Sequence, residues 1–307
     1  MKNNVDCLIC KNNNLKRIGP LEYSSATYKN LNLMKCFSCD FVFADPMPSD
    51  SDLELYNSAY FKSAGQDITL DQISISFFKA ISKIRLNYLI KYKLKQNISI
   101  KNVLEIGPGP GFFVESFLDN FPDANYYVSE SDKTRHNSLL DKGAKIIDLN
   151  SFDEKIDLIV ISHVLEHVSD PEIFLINVTK NLKRGGLLFI EVPCLDFKHK
   201  KVHEPHLLFF DKKPLRKLLN NLNYDHIKLS YHGTKISQLM NKSIIKKIYY
   251  FIRYKLLSVG VLWPFSIKKP GMDLINSKLE RASVSFYEAH KENKVPSWWL
   301  RAAAIKN

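Results

Sequence analysis

The stretch Val103-Leu104-Glu105-Ile106-Gly107-Pro108-Gly109-Pro110-Gly111-Phe112-Phe113 decides how the rest of the chain is read. An apolar strand runs into an acidic residue and then G-x-G-x-G. A loop without side chains therefore sits at the strand's C-terminal end, the edge at which open α/β sheets bind ligands. The dinucleotide fingerprint G-x-G-x-x-G needs glycine at position 112, which is Phe112, and no Gly-Lys-Ser/Thr follows as a P-loop requires. Both of those ligand classes are disfavoured. Glu130 ends the next strand, nineteen residues beyond Gly111, where a carboxylate can accept from both hydroxyls of a ribose. The plainer readings are a tight structural turn for Gly107, Gly109 and Gly111, and a carboxylate favoured by a helix dipole for Glu130.

Outward from this stretch, strands and helices alternate. The apolar patterns predict strands at 102–106, 125–130, 145–147, 156–162 and 186–192, with helices at 111–120, 132–142 and 171–182. A further helix at 213–222 feeds a strand at 226–231, and 298–305 closes the sheet as an antiparallel strand. Such βαβ alternation implies an α/β fold with a mostly parallel sheet and helices on both faces. Ile73, Phe77, Ile81, Ile84, Tyr88 and Tyr92 recur on one helical face, so residues 61–100 form a helical linker between a small module at 1–60 and the main domain at 101–307. Residues 233–296 are then an insertion before the last strand.

The segments Glu105 to Gly111, Glu130, Ile156 to His167 and Gly185 to Pro193 resemble, in order and spacing, class I S-adenosylmethionine-dependent methyltransferases. The resemblance covers roughly residues 100 to 231. It implies a seven-stranded Rossmann-like sheet, with the methionine part of S-adenosylmethionine against Glu105, Gly107, Gly109 and Gly111, and the ribose on Glu130. Adenine would lie near Asp148 and Leu149, and the sulfonium would face His163.

Four of the five cysteines form two C-x-x-C pairs, Cys7 with Cys10 and Cys36 with Cys39. Four thiolates suffice for a closed tetrahedral zinc site with no open position for catalysis, with iron or a redox pair as alternatives. The segment Cys36 to Pro46 also resembles the zinc module of methyltransferases acting on deoxysugars and surface-glycan precursors, including the zinc-containing sugar C-methyltransferases. Cys194 is left over and reads as packing.

Methyl transfer from a sulfonium is an in-line displacement that needs a positioned acceptor and a base for its proton. Candidate bases are His163, Glu166, His167, His203, Glu204 and His206, with His203-Glu204-Pro205-His206 foremost because it follows the fifth strand; a solvated loop is the alternative. The sugar C-methyltransferases carry a Glu-His pair here. His206-Leu207-Leu208-Phe209-Phe210 matches the histidine and the residues after it, but Pro205 stands in the glutamate's place, so O-transfer is set ahead of C-transfer. Tyr56 and Tyr60 match tyrosines brought over the active site, or serve as core or hinge.

The chain's 307 residues, 45% hydrophobic and 25% charged, suit a globular protein of about two domains. No apolar run reaches the roughly 18 residues of a membrane span and no signal peptide is legible, so a cytosolic location is expected. Residues 230–307 hold 14 Lys/Arg against 4 Asp/Glu and supply most of the formal +12. In the insertion, Ile244, Ile245, Ile248 and Ile252 form an apolar face, with Lys242, Lys246 and Arg253 on another. That pattern fits a half-buried helix, a cover over an anionic acceptor, or attachment to an anionic membrane.

The leading expectation is methylation of a sugar or glycan precursor. An RNA methyltransferase is the second reading, with nucleic acid disfavoured because the fourth strand ends in Ser-His-Val-Leu-Glu-His. A non-catalytic zinc and nucleotide scaffold is the third.

Overall fold

Each knuckle of the N-terminal module is the same turn made twice. The amide of Lys11 donates to the Cys7 carbonyl and that of Asp40 to the Cys36 carbonyl, both at 2.9 Å, and Lys11 and Asp40 both take positive φ. The computed structural model describes residues 5–58, 71–241, 244–262, 268–285 and 287–307. Between and after the knuckles, β1 (Leu15–Pro20), β2 (Asn32–Cys36) and β3 (Val42–Asp45) pair antiparallel, and α1 (Asp50–Ser58) follows.

α2 (Gln72–Gln96) starts where the Asp71 carboxylate accepts the Ser74 amide at 2.7 Å, and it ends on Asn97 in the left-handed region. Its buried stripe includes Ala80, Ile81, Ile84, Tyr88 and Tyr92. The alternating region follows as β4 (Asn102–Ile106), α3 (Phe112–Leu118), β5 (Asn125–Ser129), α4 (His136–Asp141) and β6 (Lys145–Ile146). It continues through β7 (Ile156–Ser162), α5 (Pro171–Val178), β8 (Leu182–Pro193), β9 (Leu208–Phe209), α6 (Lys212–Asn221) and β10 (Tyr224–Lys235). After α7 (Ile236–Met240), α8 (Ile244–Ser258) and α9 (Lys278–Val284) come β11 (Glu292–Asn293) and β12 (Ser297–Lys306).

The main sheet has the order β11-β10-β12-β8-β7-β4-β5-β6. β4, β5, β6, β7 and β8 run parallel, and β12 lies antiparallel between β8 and β10. This is the expected α/β sheet of seven strands with a two-residue edge, β11, added. The central runs of both strands, Leu158 to Ile161 in β7 and Leu187 to Ile190 in β8, are wholly apolar and buried because helices or loops cover both faces.

Four expectations need correction. The strand expected to stop at Tyr231 carries on as β10 to Lys235 through a register shift, and a Cβ at Gly233 would lie 2.6 Å from the Trp299 ring, so the insertion begins at Ile236 and not at Gly233. α5 stops at Val178, four residues early, because Leu182 already belongs to an extended β8.

The N-terminal module is not separate, since β9 is the fourth strand of its sheet, paired with β3. Phe41 packs on Phe210 at 5.1 Å between ring centroids, within one core that also takes in β4 and β7. Of the readings given for the insertion helix, the half-buried one fails, because the isoleucine face is not the one that packs. Ile244, Ile245, Ile248 and Ile252 are exposed, while Arg253 is 8% exposed and reaches the Ala282 carbonyl. Among the described residues, no helix is long and apolar enough to cross a membrane.

Candidate active site

At the C-terminal ends of β4, β5, β6 and β7 the loops part around a crevice of about 760 Å³. The chain leaves β4 for β5 on one side and returns to β7 on the other, and this reversal of strand order separates the loops.

The glycine loop forms the floor. Gly107 has φ +63, and a Cβ there would sit 2.6 Å from Val164 Cγ2 in the loop after β7, so the two loops touch only because position 107 has no side chain. Gly109 donates its amide to Glu130 Oε2 at 2.9 Å, and Asp132 donates its amide to Glu130 Oε1 at 2.9 Å. Glu130 is thus aimed by backbone from both flanking segments, and each oxygen keeps a lone pair for a ligand hydroxyl. Burial raises its pKa, opposed by these two amides.

Of the eight residues expected around the cofactor, Gly107, Gly109, Glu130, Asp148, Leu149 and His163 line the crevice. Glu105 and Gly111 support it from behind. Glu105 is 2% exposed and accepts from the Tyr126 hydroxyl at 2.8 Å, and burial raises its pKa to about 7. Gly111 starts α3, where a Cβ would meet Leu139 Cδ2 at 2.9 Å; its bareness lets α3 settle against the end of α4.

The loop after β7 supplies three ionisable groups. His163 is half-buried with φ +57, and its two ring nitrogens lie 3.3 Å from Glu166 Oε1 and from Glu191 Oε1. Burial disfavours its charge, but bonds to both carboxylates outweigh this and raise its pKa, favouring the imidazolium. Glu191 is fully buried; despite that burial, the guanidinium groups of Arg85 and Arg301 hold its carboxyl well below the usual range. Glu166 Oε2 is buried and finds no partner among the described residues.

His167 forms part of the crevice wall. Its Nδ1–H donates to the Pro205 carbonyl at 3.1 Å, which leaves the lone pair on Nε2. Burial lowers its pKa to about 4 against the pull of Glu166, so the ring is neutral near pH 7. His206 stands behind it, edge to face with centroids 4.9 Å apart, and its Nδ1–H donates to Asp196 Oδ2 at 2.6 Å. Asp196 is buried, yet His206 and Lys200, 3.0 Å away, hold its carboxyl well below the usual range.

His203 and Glu204, expected as candidate bases, are committed elsewhere. His203 Nδ1 accepts the Glu22 amide at 3.0 Å. Glu204 accepts from the amides of Ser24 and Ser25, the Ser24 hydroxyl and, at 3.2 Å, the Tyr56 hydroxyl. They tie the N-terminal module to the loop after β8. Tyr56 is a core residue edge-on to Tyr28, while its α1 neighbours Glu54 and Asn57 line the crevice. Tyr60 lies outside the described residues.

Sequence reading missed Asp196, Arg85, Glu191, Glu54 and Asn57. Only Asp196 left a signal: an acid ten residues before His206, in the loop already under suspicion.

The four cysteine sulfurs converge. Cys7 to Cys39 and Cys10 to Cys36 are each 3.5 Å apart, and all four lie within 4.8 Å of one another. A tetrahedron with bonds of roughly 2.3 Å asks for sulfurs about 3.8 Å apart, so this donor set fits a closed thiolate metal site.

A strand order turning back at β4, with a bare loop and a carboxylate at its edge, defines a class I S-adenosylmethionine-dependent methyltransferase fold. The family model described as a methyltransferase domain matches residues 79–242, over half the chain, and the chain belongs to that family. It is an S-adenosylmethionine-dependent methyltransferase. Solved structures similar to it include the plantazolicin methyltransferase BamL in complex with a triazolic desmethylPZN analogue and SAH. That protein is 13% identical with a TM-score of 0.50, over 83% of this chain and 96% of that one. Another is a possible histamine N-methyltransferase from Thermotoga maritima, 15% identical with a TM-score of 0.47, over 76% and 91% of the respective chains. No curated protein matches.

Proposed function

We propose that the chain methylates a hydroxyl of a sugar in a nucleotide-sugar or surface-glycan precursor, and that Cys7, Cys10, Cys36 and Cys39 hold a structural zinc ion. The observation that carries the acceptor class is the crevice lining: Glu54, Asn57, Asn177 and Lys180. Carboxylate and amide side chains bind hydroxyls, and a lysine suits an attached phosphate. The two-knuckle module ahead of the domain, resembling that of sugar methyltransferases, points the same way.

S-adenosylmethionine supplies, when bound, a methyl group on a positively charged sulfur. The chain's part is placement and proton removal. The Gly107 to Gly111 loop admits the ligand against backbone, and Glu130 accepts from ribose hydroxyls. His167 Nε2 takes the acceptor's hydroxyl proton as that oxygen takes the methyl group. The imidazolium so formed is stabilised by Glu166, whose Oε1 is 3.8 Å from Nε2. His206, held by Asp196, keeps the His167 ring in place.

Incubation with labelled S-adenosylmethionine and a panel of nucleotide-sugars and glycan extracts should place the label on a sugar oxygen; label confined to RNA or peptide would overturn the assignment. By calorimetry, Glu130→Ala should weaken S-adenosylmethionine binding roughly 10- to 100-fold.

A further inference from the structure

Helix α8 turns most of its large apolar side chains outward. Among its described side chains, Arg253 and Leu257, one turn apart, are the buried ones, and Arg253 reaches the Ala282 carbonyl while the Tyr254 hydroxyl donates to Asp71. The outward side carries Ile244 at 75% and Ile245 at 79% exposure, with Ile248, Tyr249, Phe251 and Ile252 also exposed. At 100° per residue these span an arc of about 160°. Val259 and Val261 extend the apolar surface past the helix end. Scattered exposed apolar residues are ordinary, but a continuous run of large ones on a single held helix marks an interaction surface.

Charge selects the occupant. From Lys235 to Met272 the sequence has eight Lys/Arg and not one Asp or Glu. Lys255 lies within the apolar arc, with its ammonium 5.7 Å from the Phe251 ring centroid, and Lys247 flanks it. Protein interfaces are depleted in lysine, whereas a helix lying in a membrane interface pairs buried apolar side chains with lysines reaching for anionic headgroups. We propose that α8 docks the enzyme peripherally on an anionic bilayer, with Ile244, Ile248, Phe251 and Ile252 entering the headgroup boundary and Lys247 and Lys255 meeting lipid phosphates. The Tyr254 hydroxyl joins this helix to Asp71 at the start of α2. This inference does not depend on the identity of the methyl acceptor.

The full chain should float with phosphatidylcholine vesicles containing phosphatidylglycerol, should stay in solution with phosphatidylcholine alone, and should be released as salt rises. Lys247→Ala and Lys255→Ala should each weaken partitioning roughly fivefold. The double variant Ile248→Asp and Phe251→Asp should abolish flotation while S-adenosylmethionine affinity and melting temperature stay those of the parent. Equal flotation on both vesicle types, or none on either, overturns the proposal. So does a solution dimer by light scattering that Phe251→Asp converts to monomer in a protein that binds no vesicles.

Discussion

Gly109 and Glu130 show how a carboxylate becomes a ligand group: the 2.9 Å bond between them fixes its direction before any ligand arrives. The same logic runs from Asp196 through His206 to His167, where each member orients the next. Asp196 is a positioning residue in that series. Asp196→Asn keeps the shape of the side chain and removes the charge that stabilises the His206 N–H. Its expected effect is a fall in turnover of roughly 10²-fold with S-adenosylmethionine affinity unchanged, together with a shifted pH–rate profile. A purely structural role would instead lower the melting temperature and leave the pH profile alone. The sequence exposed these histidines as candidates but could not rank them. His203, Glu204 and His206 occupy four positions of one loop, and only the fold turns the first two toward Glu22 and Ser24 and the third toward Asp196.

At the scale of elements, the cysteine module and the methyltransferase domain are joined by exchange. The domain gives β9 to the module's sheet, and the module gives α1 to the crevice. Glu204 secures the joint with bonds to Ser24, Ser25 and Tyr56. Anything that loosens the knuckles should therefore be felt at the crevice. Elemental analysis should find one zinc per chain. Cys36→Ser or strong chelation should release it, lower the melting temperature, and raise hydrogen exchange in both β3 and β9, because the two strands share a ladder. Loss of the metal with exchange changes confined to the knuckles would show the joint to be slack. None of this exchange was visible in the sequence, where a turn-rich stretch at 45–52 reads as a module edge; pairing between residues 42–43 and 208–209 leaves no local pattern.

For the molecule as a whole, buried ionisable groups set a window of pH. Burial lowers the pKa of His167 and of His290 to about 4, so both stay neutral in the fold while their unfolded counterparts protonate below about 6.5. Stability is therefore lost as pH falls from about 6.5 toward 4. Glu105 acts in the opposite direction, because its folded pKa of about 7 lies above the unfolded value and its contribution is lost as pH rises through 7. Melting temperature measured against pH should peak between these limits. Glu105→Gln should remove the decline that Glu105 imposes between about pH 4.5 and 7, a gain of roughly 2 to 3 kcal/mol once that window is passed, at pH 8. A stability difference between variant and parent that is the same at pH 5 as at pH 8 would contradict this.

The strand and helix alternation, and where the bare loop at 107–111, Glu130 and the four cysteines fall in it, were legible in the sequence alone, because each rests on local periodicity or short spacing. Tertiary structure decided which loop residues face the crevice, that the module and the domain share strands, and that α8 shows its isoleucines to the outside. Those outcomes depend on contacts between residues tens to hundreds of positions apart, and amphipathic pattern reports that a helix has two faces without saying which one the rest of the chain will cover.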